Sequence, residues 1–364
     1  MLPLLMLLVF TSSDVEMTKS ETTDFTDFGA YEAVVPLEAH DNALIGKVTF
    51  AKIDPRNGDI LIQGEHRTGM LHRFDAKGTY LRTYGTLSPQ NSALGPGEYR
   101  YLYDFVITDG GSVVIFDYLR ILIFDEQGQF IGEKRRNAVY FRAVHLNGKT
   151  YAYSNQGRLE PGKPTILIFD EDFEQIGEFH PWDERWNKWR ASPFQYLTTF
   201  KGNIYVADAY DFALTVYDPW GKKLDQYEFA ETDIDFASLP DKVPRAQIGD
   251  LFRRLNRSIY TYGLKNRLFA YQTNPATLES VPCLIDFQKR RLARYDRLPF
   301  ALTKNRSERH AIVDHIAGRY QDGLICVIHE DETLRQARPF IPALKKVPDE
   351  ILENPVLLFL KVVD

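Results

Sequence analysis

An aromatic residue followed by aspartate recurs along this chain at nearly constant intervals, each time at the end of a short apolar run. Phe74-Asp75, Phe124-Asp125, Phe169-Asp170 and Tyr217-Asp218 place their aspartates 50, 45 and 48 residues apart. Glycines follow at Gly78, Gly128 and Gly221, three residues after the aspartate. In an Asp-x-x-Gly turn the carboxylate accepts backbone N–H groups of the turn, and glycine takes a positive φ without a Cβ penalty. That chemistry closes a hairpin through a type I turn and a bulge. Any one such aspartate reads as a generic surface turn. Four in phase make a structural repeat.

Around each turn the unit is the same: a short apolar strand, a loop, a second strand ending at the aspartate, and a third strand after the turn. Gly202-Asn203-Ile204-Tyr205-Val206, Leu214-Thr215-Val216-Tyr217-Asp218 and Leu224-Asp225-Gln226-Tyr227 form the clearest copy. A unit of roughly 40–50 residues with four short strands is a propeller blade. The later copies are degenerate. Leu268-Phe269-Ala270-Tyr271 and Cys283-Leu284-Ile285-Asp286-Phe287 make a fifth unit, and Gly323–Ile328 begins a sixth, followed by a charged helical excursion over about Asp331–Glu353. Pro240–Ser258 carries apolar residues at helical intervals and reads as a short amphipathic helix outside the sheets. The sixth unit is one strand short, and Tyr31–Leu37 is one strand spare. Circular closure resolves both, because it leaves no open sheet edge. The expected fold is therefore all-β: a six-bladed β-propeller of four-stranded blades, with the N-terminal strand closing the last blade. Residues 28–364 are expected to form this one domain.

Residues 1–27 read differently. Met1–Phe10 is an apolar run too short to cross about 30 Å of hydrocarbon, followed by the small residues Thr11–Ser13 and a polar stretch to Asp27. That pattern predicts a signal-peptide-like segment and linker, and export to the periplasm or cell envelope. No cysteine follows the small residues, so a lipid anchor is not supported, and no transmembrane span is expected. The 44 basic and 50 acidic residues give a net charge of −6, which argues against nucleic acid as a partner. Cys283 and Cys326 lie in apolar strands and read as buried thiols rather than nucleophiles. A monomer is expected.

At this level the chain resembles the six-bladed β-propeller proteins of Bacteroidetes-type bacteria, which are related to NHL-repeat propellers. The resemblance extends over nearly the whole chain after residue 28. It rests on Leu44-Ile45-Gly46-Lys47-Val48, Leu94-Gly95-Pro96-Gly97-Glu98-Tyr99, Pro193-Phe194-Gln195-Tyr196 and Glu353-Asn354-Pro355-Val356-Leu357. It implies an exported propeller that binds a glycan, peptide or protein partner at the bacterial cell envelope, as scaffold or receptor. The second reading is a lyase or hydrolase acting on polysaccharide or peptide, with acid/base groups at the central channel.

The eight histidines are scattered, no His-Glu-x-x-His motif occurs, and neither a metal nor another cofactor is expected. His145, His310 and Asp314 are the residues that inner strands would gather if a channel metal existed. For acid/base work the candidates are Asp104, His145, Tyr260 and His310, which lie in predicted innermost strands. Gly95-Pro96-Gly97-Glu98-Tyr99 lacks the spacing of a phosphate loop and reads as a rigid turn between blades. Three of the four tryptophans fall in His180–Arg190, between the third and fourth units. Trp182, Trp186, Trp189 and Arg190 are the candidate ligand-binding residues, because indole faces among charged neighbours stack on sugars or peptides.

Overall fold

The central strands of the blades are buried on both faces, as in Val113–Phe116 and Gly323–Ile328, and their packing explains why. In the computed structural model, Val113 and Ile115 pack with Leu61, Leu71 and Tyr84, whereas Val114 and Phe116 pack with Tyr140, Ala152 and Leu167 on the other side. Side chains alternate across a strand, so a sheet sandwiched between two others must be apolar at every position. The structure describes residues 13–17, 29–64, 69–89, 92–156, 163–182, 196–208, 213–229, 261–273, 280–289, 291–294, 300–302, 309–311, 313–348 and 354–362.

Six antiparallel blades account for most of the strands. Blade 1 runs from its inner strand Phe50–Ile53 through Ile60–Gln63 and Leu71–Phe74 to the outer strand Tyr80–Tyr84. The inner strands of blades 2 to 5 are Asp104–Ile107, Tyr140–Leu146, Tyr196–Phe200 and Thr261–Gly263. Blade 6 starts at His315–Tyr320, continues through Gly323–Ile328 to Val356–Val362, and is completed by Gly29–Pro36. The N-terminal strand therefore closes the ring as the repeat predicted, pairing antiparallel with the C-terminal one.

Each recurrent aromatic has the same job. Phe74 packs with residues of blade 6, Phe124 with blade 1, Phe169 with blade 2 and Tyr217 with blade 3. It plugs the interface to the preceding blade, and the aspartate beside it turns the chain. Asp75 Oδ1 accepts the Lys77 and Thr79 N–H groups at 2.8 and 2.9 Å. Asp218 Oδ1 does the same for Trp220 and Lys222 at 2.8 and 2.9 Å. The pairing register shifts at Phe74, Phe124, Phe169 and Tyr217, the bulge expected of this turn. In blade 3 the glycine position is held by Phe173, at φ 57°, buried in the interface with blade 2. The gain from packing its ring there offsets the strain of a positive φ.

Closure relies on two further contacts. Asn354, only 6% exposed, accepts the Ile45 N–H at 2.6 Å and donates to the Ala43 and Glu38 carbonyls. Gly78, at φ 90°, has no room for a side chain, because a Cβ would lie 2.2 Å from the Pro36 carbonyl oxygen. The blade 1 turn thus abuts the closing strand, and the Glu38 N–H donates to the Gly78 carbonyl at 2.8 Å.

Several elements lie outside the four-stranded blades. Ser13–Met17, within the stretch read as polar linker, is a strand that pairs in parallel with the outer strands of blades 4 and 5 and joins them into one sheet. Thr86–Leu87 pairs in parallel with Glu98–Tyr99, so the Gly95–Tyr99 segment is an inter-blade turn. Glu98 Oε2 there accepts the Gly95 N–H at 2.8 Å. The described residues of the charged excursion contain one α-helix, Asp331–Ala337, and a 3-10 turn, Pro342–Lys346. The Pro240–Ser258 helix expected from periodicity lies outside the described residues.

Candidate ligand-binding channel

Six inner strands side by side around an axis enclose a cavity of about 730 Å³. Its wall takes Phe50–Gly58 from blade 1, Asp104 from blade 2, Arg142–His145 from blade 3, Leu197–Thr199 from blade 4, Thr261 and Tyr262 from blade 5, and Ala317–Gln321 from blade 6. A cavity of this size suits a small ligand or the end of a chain. The turns that follow the inner strands of blades 1, 2 and 6, at Pro55–Gly58, Asp109 and Gln321, carry the wall to one end.

Charge is concentrated in its middle. Lys52 Nζ donates to Asp104 Oδ1 at 2.7 Å, to the Ala143 carbonyl at 3.3 Å and to the Phe105 carbonyl. Asp104 is nearly enclosed, and its other oxygen accepts the Ala143 N–H at 2.9 Å. Arg142 lies with its guanidinium carbon 4.3 Å from the centre of the Phe50 ring and donates to the Phe141 carbonyl at 3.0 Å. The Arg319 guanidinium donates to the Thr199 carbonyl at 3.0 Å and to its hydroxyl at 3.3 Å. Desolvation lowers the Lys52 pKa; Asp104 opposes that shift, while Arg142 and Arg319 reinforce it. Desolvation also lowers the pKa of Arg319, although the side chain is exposed to the channel. Both observations describe cations held in a narrow, water-accessible space between low-dielectric walls.

The residues singled out in the sequence are distributed unevenly. Asp104 and His145 line the cavity. His145 Nδ1 lies 3.0 Å from the Thr150 hydroxyl, and Nε2 accepts the Asp109 N–H at 3.3 Å, so both ring nitrogens are engaged. Its pKa is lowered, burial outweighing the Asp109 carboxylate. His310 lies on Arg309–Ala311, which pairs with Phe300–Leu302 apart from the blades, rather than on the inner strand of blade 6. Tyr260, Trp186, Trp189 and Arg190 lie outside the described residues. Trp182 follows the outer strand of blade 3 and is 7% exposed, so its indole is packed into the protein.

Among the described residues, Asp314, His329 and Glu330 form a group with metal-ligating atoms within 4.8 Å of one another. The Asp314 oxygens, however, accept the His329 N–H at 2.6 Å, the Glu330 N–H at 3.1 Å and the Thr333 hydroxyl at 2.7 Å. That is the work of holding the head of the Asp331–Ala337 helix. Asp314 is not part of the cavity wall.

Lys52, Arg142 and Arg319 were not among the residues expected to matter. Each is a single cation in an apolar inner strand, as in Phe50-Ala51-Lys52-Ile53. A lone charge on a strand that must pack on both faces was the available signal, since it has only the channel to face.

Residues 11–273 match the model of a family described as 6-bladed beta-propeller. No curated protein matches the chain. A presumed exported protein of Bacteroides fragilis superposes with a TM-score of 0.71 at 14% identity, over 97% of this chain and 100% of that one. Virginiamycin B lyase of Staphylococcus aureus reaches 0.48 at 10% identity, over 81% of this chain and 80% of its own. The extracellular domain of a hybrid two-component system of Bacteroides thetaiotaomicron reaches 0.45 at 11%, over 80% of this chain and 33% of that one. No helix among the described residues is long and apolar enough to cross a membrane. With its blades, its closing strand and 263 residues of family match in view, the chain belongs to the six-bladed β-propeller family.

Proposed function

We propose that this protein is an exported, non-catalytic receptor or scaffold of the bacterial cell envelope, and that its central channel holds part of a glycan, peptide or protein ligand. The observation that supports this reading best is the state of the polar groups in the channel. Asp104 accepts hydrogen bonds on both oxygens, and His145 is engaged at both ring nitrogens. A general acid or base must reach the proton it moves. Groups already engaged in this way fix the shape of a cavity better than they transfer protons, which favours binding over the lyase or hydrolase reading. The connection that carries Trp186, Trp189 and Arg190 is proposed as a second contact surface, on the strength of its composition alone.

A screen against immobilised glycans and a peptide library tests this reading, using wild type, Val144→Trp and the double variant W186A/W189A. Val144 lines the cavity, and a tryptophan there narrows it. We expect V144W to lose the captured ligand with its melting temperature little changed, and W186A/W189A to weaken capture. Unaltered capture by V144W would rule out the channel. A large loss of stability in W186A/W189A would make those tryptophans structural.

A further inference from the structure

The blades repeat one hairpin turn, and in blade 4 one side chain departs from the repeat. After Asp75, Asp170, Asp218 and Asp286 the carboxylate accepts the N–H of the second residue on, which is Lys77, Asp172, Trp220 and Gln288 in turn. Gln127 holds the same place after Asp125. The turn uses only the backbone of that residue, and its side chain stands toward water, where a polar group is expected. Blade 4 alone among these five places an aromatic there. Trp220 is 71% exposed, more than any other large hydrophobic residue described. The turn does not need an indole, as its sister turns show, so the reason for Trp220 lies outside the fold.

The indole is held in place. The Tyr151 hydroxyl of blade 3 donates to the Pro219 carbonyl at 2.9 Å, and a Cβ on Gly221 would lie 2.8 Å from the Phe179 side chain, so the turn sits tight against blade 3. Lys149 Nζ lies over the Trp220 ring, 3.7 Å from its centre, and the exposure of the side chain leaves the opposite face to water. Trp220 is also on the face of the ring where the channel opens. In an antiparallel blade the turns after the first and third strands emerge on one side. Arg56 of the former kind in blade 1 accordingly meets Glu126 of the latter kind in blade 2 at 3.2 Å. From the channel lip, Asp109 Oδ2 accepts the Gly148 N–H at 2.8 Å, and Lys149 is the next residue. Glu171 lies beside Gly148, where a Cβ would be 2.9 Å from its Oε1. A polar strip of Asp109, Glu171 and Lys149 thus leads from the channel to a fixed, flat, exposed indole.

Resting on the reading of the channel as the ligand site, we propose that the ligand is a glycan of several sugars, with one pyranose stacked on Trp220 and the chain continuing past Lys149, Glu171 and Asp109 to the channel mouth. The C–H face of a pyranose matches a flat indole, and its hydroxyls donate to carboxylates and accept from an ammonium. An aromatic or aliphatic anchor of a peptide instead fills a pocket, and Trp220 offers a plate. The ammonium already over one face also makes the ring a poor site for a second cation, which disfavours a choline-like ligand.

The test applies the full chain, as wild type, Trp220→Gln and V144W, to immobilised cell-wall polysaccharides, mucin glycans and a peptide library. Oligosaccharides of increasing length, cut from whichever glycan wild type captures, are then titrated by calorimetry. Glutamine is the residue that blades 2 and 5 carry at this turn position, so W220Q should melt with wild type. We expect wild type to capture a glycan, its affinity to step up once the oligosaccharide is long enough to reach the indole, and W220Q to lose that step, about tenfold in Kd. Equal affinity of wild type and W220Q at every length overturns the proposal, as does a marked drop in the melting temperature of W220Q, which would make the indole structural. Capture of peptides and no glycan overturns the sugar class. If V144W abolishes glycan capture and W220Q leaves it unaltered, the indole site falls and the channel reading stands. If W220Q weakens capture and V144W does not, the channel reading falls, and with it the path from indole to mouth.

Discussion

At the hairpins, Asp75, Asp125, Asp170 and Asp218 bind backbone N–H groups two to four residues further along the chain. In the channel, Lys52 meets Asp104 across 52 residues and Arg319 meets Thr199 across 120. The first kind of contact forms wherever the local sequence permits it, in water as well as in the fold. The second exists only after the ring has closed, and it brings charges out of bulk water. Local turns should therefore cost little to remove individually, and groups whose environment is made by the fold should cost more.

The largest expected effect tests the second half of that contrast. Arg73 is buried in blade 1, with its guanidinium on Asp54 at 2.9 Å, Asp59 at 2.7 Å and the Tyr84 hydroxyl at 3.1 Å. Burial alone would lower its pKa, but Tyr84 and Asp59 raise it beyond the ordinary arginine value. Arg73→Met should destabilise the protein by about 3–5 kcal/mol in chemical denaturation, because it removes the buried guanidinium that joins Asp54, Asp59 and Tyr84 and leaves Asp54 to Arg56 alone. A loss under about 1 kcal/mol would show that Arg56 alone suffices to hold the Asp54 carboxylate.

Acid should act next. Burial pushes the His72 pKa down to about 4 from 6.5, with Nδ1 at 2.8 Å from the Thr83 hydroxyl. The folded protein keeps this ring neutral while the unfolded chain protonates it, so the unfolded state binds more protons between those values. Stability is then intact above pH 6.5 and falls as the pH drops toward 4, by roughly 3 kcal/mol for this one group. A series of denaturation midpoints should show that slope in wild type and a shallower one in His72→Gln. Parallel slopes would place His72 in contact with solvent.

The smallest effect belongs to the hairpins. Asp218→Ala removes two hydrogen bonds to exposed backbone groups, which water can replace, and should cost about 1 kcal/mol. If it instead matched Arg73→Met, the turn would be anchoring more than itself. The Tyr151 hydroxyl, which donates to the Pro219 carbonyl at 2.9 Å, is the contact through which it would do so.

Much of the architecture was legible because it is periodic. Phe74, Phe124, Phe169 and Tyr217 each combine an interface plug with a turn signal, so both the blade spacing and the bulge followed from the residues. The site was legible only in part. Asp104 and His145 were reached through the inner strands that carry them. His310 was expected on an innermost strand, but the structure places it on Arg309–Ala311, ahead of the blade 6 inner strand that begins at His315. Trp182 was grouped with Trp186 and Trp189 by proximity in sequence, yet its own indole is buried. Composition reports that tryptophans are near one another along the chain, and it is silent on which of them the fold covers.

What the chain determined by itself is the set of features with a short physical range. These are the blade period, the aspartate turns, strands apolar on both faces, and the matching of a spare first strand to an incomplete last blade. Each depends on hydrogen bonds over a few residues or on the alternation of side chains along one strand. The tertiary structure decided which charges face one another. Lys52, Arg142 and Arg319 stand at unrelated places in three blades, with nothing in their neighbours to connect them. They converge because six sheets packed side by side must point their inner strands at a common axis, and a charge on such a strand has nowhere else to avoid the apolar interfaces.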